Sequence, residues 1–169
     1  QSLIFLDKEL KIPFFKIASG EIHSIDMLEY ISRSNKPIIL STGMANFKDI
    51  EKSLKILTKF KKHNITLLHC VSSYPTDIKN MNLKRIENLK KRFKLNVGLS
   101  DHSLSNIPAI LSVTKNVKII EKHVTLSRKL IGPDHKASLE IKEFEEFVKN
   151  IKEAELLHNT NFKKNTSDE

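Results

Sequence analysis

Leu95-Asn96-Val97-Gly98-Leu99-Ser100-Asp101-His102 and Val117-Lys118-Ile119-Ile120-Glu121-Lys122-His123-Val124-Thr125 decide how this chain folds. Each is a short apolar run that turns polar at its C-terminal end, as a strand does when its tip opens onto a site. Three runs upstream have the same form. Residues 14–19 lead into Ser19-Gly20-Glu21, residues 37–42 into Ser41-Thr42-Gly43, and residues 65–71 into Ser72-Ser73-Tyr74. The five runs (14–19, 37–42, 65–71, 95–100 and 117–125) start 22 to 30 residues apart. Between them lie helical patterns: Ile50, Leu54 and Leu57, then Leu83, Ile86, Leu89 and Phe93. After the fifth run, Phe144, Phe147, Val148 and Ile151 form one more helical face, and Leu3, Leu6 and Leu10 read as the end of an incoming helix. Strands alternating with helices at this spacing predict an α/β fold with a parallel sheet covered by helices.

An open doubly wound sheet and a (β/α)8 barrel both fit that pattern, and the polar tips choose between them. A barrel gathers every strand C-terminus around one mouth, whereas an open sheet uses the switch point between its halves. All five strands contribute, which favours the barrel. A full barrel has eight strands in ~250 residues, and this chain has 169. The expectation is therefore a partial TIM barrel: the last five βα units, with the first three strands missing. Residues 1–157 are assigned to it and the polar tail 158–169 to a linker. Gln1 is not a natural start residue, which suggests a fragment or a processed chain.

The remaining bulk features narrow the class. No apolar run is long enough to span a bilayer, and no signal-peptide pattern opens the chain. The single cysteine, Cys70, sits in an apolar run. It reads as a small buried hydrophobe and fits a cytoplasmic location without a membrane partner. The net charge of +9 raises a nucleic-acid reading. Only Arg33, Arg85, Arg92 and Arg128 are arginines among 29 basic residues, and the dense run 90–94 falls on a predicted amphipathic helix as a solvated face, so no nucleic-acid partner is expected. With four glycines and no Gly-x-Gly-x-x-Gly, a nucleotide-binding loop is not expected.

His102 and His123 end two successive strands, and neighbouring strands lie about 4.8 Å apart. Two imidazoles at matching heights can share one cation; two hydrogen-bonded structural histidines fit the spacing as well. Ser100 and Glu121 stand two residues upstream of each, on the same strand face, and Glu121 is placed to orient a metal-bound water or a neighbouring ligand. Lys16 is a lysine inside an apolar strand. It either meets an anion in the barrel mouth or snorkels to water from a frayed edge. Ser19-Gly20 and Thr42-Gly43 occupy strand-to-helix turns, suited to phosphate oxygens but also ordinary turn chemistry. Glu21 follows directly, either as a proton-transfer group, a ligand for sugar hydroxyls or a helix cap. Asp134, in Gly132-Pro133-Asp134-His135-Lys136, either binds a polyol or serves the turn. His69 reads as structural, and His23, His63, His135 and His158 carry no pattern.

Taken together, Lys16-Ile17-Ala18-Ser19-Gly20-Glu21, Ser41-Thr42-Gly43-Met44, Leu99-Ser100-Asp101-His102-Ser103, Glu121-Lys122-His123-Val124-Thr125 and Gly132-Pro133-Asp134-His135-Lys136-Ala137-Ser138-Leu139-Glu140 resemble the N-acetylneuraminate (sialic acid) synthase family in order and spacing along the whole chain. The resemblance implies condensation of phosphoenolpyruvate with N-acetylmannosamine or a related amino-sugar aldehyde. It implies a divalent metal on His102 and His123, manganese with magnesium or cobalt as alternatives. By match, Lys16, Ser19, Ser41 and Ser100 hold phosphoenolpyruvate. Tyr74, Asp134 and Glu21 face the sugar, with Glu121 in the substrate-binding set. Glu21 and Lys16 are the catalytic candidates, Glu21 handling the proton. The family also implies an antifreeze-like domain after the linker, which supplies an arginine across a homodimer. Ser72 departs from the family pattern, standing where some members carry Asn.

Lacking those parts, the isolated chain is expected to be inactive and poorly soluble or oligomeric. Legionaminate and pseudaminate synthases are the nearest alternatives, and the 134–138 string favours the former. A 3-deoxy-sugar-phosphate synthase would need arginine at a strand tip, and none is there. An inactive truncated remnant is the alternative outside catalysis.

Overall fold

The computed structural model describes residues 2–61 and 64–159. His63 and the tail from Thr160 onward lie outside the described residues. The chain runs α1 (Ser2–Lys8), β1 (Phe15–Ile17), α2 (Ile25–Ser32), β2 (Ile38–Ser41), α3 (Phe47–Leu57), β3 (Ile65–Cys70), α4 (Lys84–Phe93), β4 (Asn96–Asp101), α5 (Ile107–Val113), β5 (Ile120–Lys122), β6 (Val124–Thr125), β7 (Leu139–Glu140) and α6 (Ile141–Asn159). β1 to β5 form one parallel sheet in chain order, curled into a half-barrel, and β6 pairs with β7.

Parallel register sorts the strand residues onto two faces. Ile38 is aligned with Phe15 and Ile65, and Leu40 with Ile17 and Leu67. These residues pack against Leu28 and Ile31 of α2, Ile50 and Leu57 of α3, and Ile86 and Leu89 of α4 to make the main core. The opposite, concave face carries Lys16, Ile39, Ser41, Leu68, Cys70, Ser100 and Glu121. The helices therefore cover the convex side, and the alternation of each strand sends every second tip residue, among them Ser41, Ser100 and Glu121, to the concave side.

Local chemistry sets where the helices start and stop. α3 opens with a capping box: Asn46 Oδ1 accepts from the N–H groups of Lys48 and Asp49, and Asp49 returns a bond to the Asn46 N–H. Such a cap is worth about 1 kcal/mol, and it fixes α3 just past the Thr42-Gly43 turn. At Gly98 a side chain would stand 2.5 Å from both the Ile119 carbonyl and Leu68, so the approach of β4 to the chain before β5 needs glycine.

Three expectations change. The run 117–125 is not one strand. The His123 carbonyl accepts from Leu139 N–H at 3.0 Å, which draws the chain away from β4 into the β6–β7 pair. Lys90 is not simply a solvated residue on the helix face. Its ammonium binds the carbonyls of Lys115 and Asn116 beyond α5, and burial lowers its pKa, with Lys118 adding to the effect. α6 also continues through His158 to Asn159, past the expected boundary at 157, because no glycine or proline interrupts it.

Candidate functional site

Curling brings together side chains from opposite ends of the sheet. Lys16 on β1 and Glu121 on β5 meet at 3.2 Å. In a flat sheet these strands would be four spacings of about 4.8 Å apart, roughly 19 Å, beyond the reach of the two side chains. From Glu121 the contacts continue along the β4 tip. Ser100 donates its hydroxyl to Glu121 Oε1 at 2.7 Å and lies 3.2 Å from His102 Nε2. Lys16, Glu121, Ser100 and His102 thus form one connected polar line across the concave face.

The other end of His102 is fixed. Its Nδ1 is 2.8 Å from the Val71 carbonyl, an acceptor only, so Nδ1 carries the proton and Nε2 presents a lone pair. Burial holds the His102 pKa below its usual range, against the raising effect of the Val71 bond. The ring is therefore neutral near pH 7. His123 stands edge-on to it with 5.2 Å between ring centroids, and Tyr74 lies 4.2 Å from His102 and 5.7 Å from His123. Burial, then Cys70, Asp134 and Glu121, raise the Tyr74 pKa, which keeps the phenol protonated as a donor beside both imidazoles.

Ser41 and Ser19 lie at neighbouring tips. Ser41 is buried, yet its hydroxyl has no partner among the described residues. An orphaned buried hydroxyl on a site-facing strand is what an absent polar ligand would satisfy. Ser19 packs against Gly43, whose φ is +42°. A Cβ at Gly43 would collide with the Ser19 side chain and come within 2.9 Å of the Ser72 hydroxyl.

Other candidates fall outside the polar line. The Glu21 carboxylate accepts from the Ser24 hydroxyl and is exposed, with no bond to the line among the described residues. Asp134 is also exposed, and its carbonyl accepts from Ser138 Oγ at 2.8 Å. Its carboxylate is felt at Tyr74 without touching the histidines. Cys70 is buried, its sulfur accepts from Gly43 N–H at 3.0 Å, and burial raises its pKa, so it is no thiolate nucleophile. His69 faces the helices and binds the Met81 carbonyl at 2.7 Å, a structural role.

Sequence reasoning missed the buried pair Asp101–Lys122, joined at 2.8 Å on the convex side directly behind the histidines. The signal was the one that picked out Lys16: a lysine inside an apolar strand.

No group of three or more His, Cys, Asp or Glu side chains among the described residues is arranged for a metal. His102 and His123 offer two nitrogen donors at an open mouth. That donor set suits a borderline divalent cation whose other ligands are water and substrate oxygens. A groove of about 570 Å³ opens at Lys16 and Glu121 of the line and runs between the concave face and α6, lined also by Phe14, Ile39, Leu68 and Phe147. A cavity of about 610 Å³ around Asp7, Arg33 and Lys36 contains none of the residues of the line. No helix among the described residues is long and apolar enough to cross a membrane.

Known proteins share this arrangement of sequence and fold. The chain is 44% identical over 163 residues to N,N'-diacetyllegionaminic acid synthase of Campylobacter jejuni, covering 95% of this chain and 49% of that protein. It is 37% identical over 156 residues to pseudaminic acid synthase of Helicobacter pylori, covering 92% and 46%. The solved N-acetylneuraminic acid synthetase of Leptospira borgpetersenii superposes with a TM-score of 0.83 at 37% identity, over 95% of this chain and 56% of that one. The chain thus spans about half the length of the curated relatives it matches. The NeuB family model matches residues 1–163, and with the half-barrel and its polar mouth this places the chain in the NeuB family.

Proposed function

We propose that this chain supplies the phosphoenolpyruvate- and metal-binding part of a synthase that joins phosphoenolpyruvate to N-acetylmannosamine or a related amino-sugar aldehyde. The supporting observation is the polar line from Lys16 through Glu121 and Ser100 to His102, with the His102–His123 pair at its end. The Lys16 ammonium and the hydroxyls of Ser19, Ser41 and Ser100 hold the phosphate and carboxylate of phosphoenolpyruvate, and the unpartnered Ser41 hydroxyl gains its bond there. Tyr74, Glu121 and Asp134 meet the sugar. A divalent cation, manganese with magnesium or cobalt as alternatives, would be held by His102 and His123 and would polarise the aldehyde oxygen as a Lewis acid. C3 of phosphoenolpyruvate forms a bond to the aldehyde carbon as the C=O π pair moves onto the aldehyde oxygen, which takes up a proton to become a hydroxyl, leaving a cation at C2. Water adds at C2, and the C2–O bond to phosphate breaks with both electrons leaving on phosphate. Glu21, exposed at the mouth, handles the proton of that water.

The half-barrel belongs in this reading to an eight-stranded barrel whose first three strands precede β1. Two observations support it. The outer edges of β1 and β5 have no strand partner among the described residues, and the relatives are about twice as long. The residues after α6 then link to a further domain, and the whole protein is a homodimer in the cytoplasm. The sugar has a second reading, a diacetamido aldehyde, favoured by the 44% identity to a legionaminic acid synthase.

The test is phosphate release by the longer protein that carries this sequence, supplied with phosphoenolpyruvate, manganese and each amino sugar in turn. Release that needs one of the sugars and stops with chelator is expected. Sugar-independent release, or none with any sugar, overturns the reading. The isolated chain is expected to release none.

A further inference from the structure

Asp101 and Lys122 are register partners on β4 and β5, and each immediately precedes one of the two histidines. Asp101 is fully buried and the Lys122 side chain is 2% exposed, and no other ion pair among the described residues is buried on both sides. Three further contacts complete the unit. Asp101 Oδ1 accepts from the Ser103 N–H at 2.8 Å, Lys122 Nζ donates to the Ser103 carbonyl, and the ammonium lies 5.2 Å from the centre of the Phe147 ring on α6. The residue after His102 is therefore held at both its N–H and its C=O by the two charges.

A buried ion pair is a poor source of stability, because desolvation offsets its attraction, and apolar pairs of similar volume often do as well or better. What it provides beyond an apolar pair is directional bonding, and here that bonding falls at a particular place. Strand pairing between β4 and β5 ends at Asp101 and Lys122. One residue later β5 turns away, because the His123 carbonyl is taken by Leu139. The ion pair is thus the last bond between the two strands before they present their imidazoles to the opposite face.

We propose that Asp101 and Lys122 are positioning residues that set the separation and orientation of His102 and His123 from behind the sheet. Their paired charges are buried on the convex side, away from the polar line, so neither is assigned a catalytic role. That the separation serves a shared metal ion rests on the functional reading above; the positioning itself does not.

The test uses the full chain with D101V/K122M, an apolar pair in place of the ionic one. Two quantities are read: the contact between the His102 and His123 rings by NMR on metal-free protein, and manganese affinity by electron paramagnetic resonance. The expected double variant keeps or gains thermal stability, loses the defined ring contact, and binds manganese about tenfold or more weakly, the scale of a lost supporting contact. A variant that keeps the wild-type ring contact overturns the proposal, whatever its manganese affinity. If wild type itself binds no manganese, the metal reading falls, and the ring contact alone decides the positioning. Should the double variant not fold, D101N, which keeps shape and removes charge, is read in the same way.

Discussion

One strand, β5, takes part in two ion pairs, one on each face of the sheet. Glu121 meets Lys16 at 3.2 Å on the concave side with 36% and 29% of the side chains exposed, whereas Lys122 meets Asp101 at 2.8 Å on the convex side with 2% and 0% exposed. Consecutive residues of a strand point to opposite faces, so one step along the chain separates a pair open to solvent and ligand from one sealed under a helix. Water screens the open pair, which contributes little to stability and can exchange its partner for a ligand. The sealed pair has no such freedom. Binding groups and framework groups are thus adjacent in sequence and opposite in energetic role.

Breaking the sealed pair from one side should have the largest effect. K122A leaves the Asp101 carboxylate buried and uncompensated, and it should lose about 3–5 kcal/mol of unfolding free energy in a urea titration. A loss under about 1 kcal/mol would erase the contrast between the faces. Next comes S41A. Removing an unpartnered buried hydroxyl should leave stability unchanged or slightly raised, while losing a bond to an anion worth about 1.5–3 kcal/mol. That corresponds to roughly a 10- to 150-fold rise in the KM for phosphoenolpyruvate of the longer protein. K16A should change stability by less than about 1 kcal/mol, because its pair is solvated, yet weaken phosphoenolpyruvate binding. Equal and large stability losses in K16A and K122A would show that the two pairs do not differ in kind.

The smallest effect concerns pH. Burial, helped by Arg85, lowers the His69 pKa, although the bond to the Met81 carbonyl opposes it. Its Nδ1 has no partner among the described residues, so a second ring proton would be buried without an acceptor. The unfolded chain therefore binds this proton first. The contribution of His69 to stability is present above the ordinary histidine value of 6.5 and is lost as pH falls through the lower folded value. Denaturation of H69Q at pH 7.5 and 5.5 should show a smaller acid loss than wild type. An identical loss assigns the pH dependence to other groups.

Much of this architecture is legible from local pattern. The βα period and the polar tips led to the half-barrel, and the two-residue spacings of Ser100 from His102 and Glu121 from His123 placed those four side chains on one face. What was hidden depends on distant parts of the chain. The Lys16–Glu121 contact exists only because the sheet curls, and curvature is a property of all five strands. The end of β5 is set by Leu139, whose N–H takes the His123 carbonyl, and nothing near His123 announces it. The bond that Ser24 gives the Glu21 carboxylate follows from the 3₁₀ turn Ser19–Glu21, which no spacing in the sequence announces. Lys122 was legible and passed over, its charge hidden between two more conspicuous neighbours.

The turn at Gly43 has a consequence for inheritance. Its backbone lies at φ +42°, and a Cβ there would strike Ser19. Every missense change at that codon adds a Cβ, so each would incur both the strained dihedral and the collision. The whole spectrum of amino-acid replacements at this position should be purged wherever the site is in use, and a gene copy freed from selection should betray itself there early.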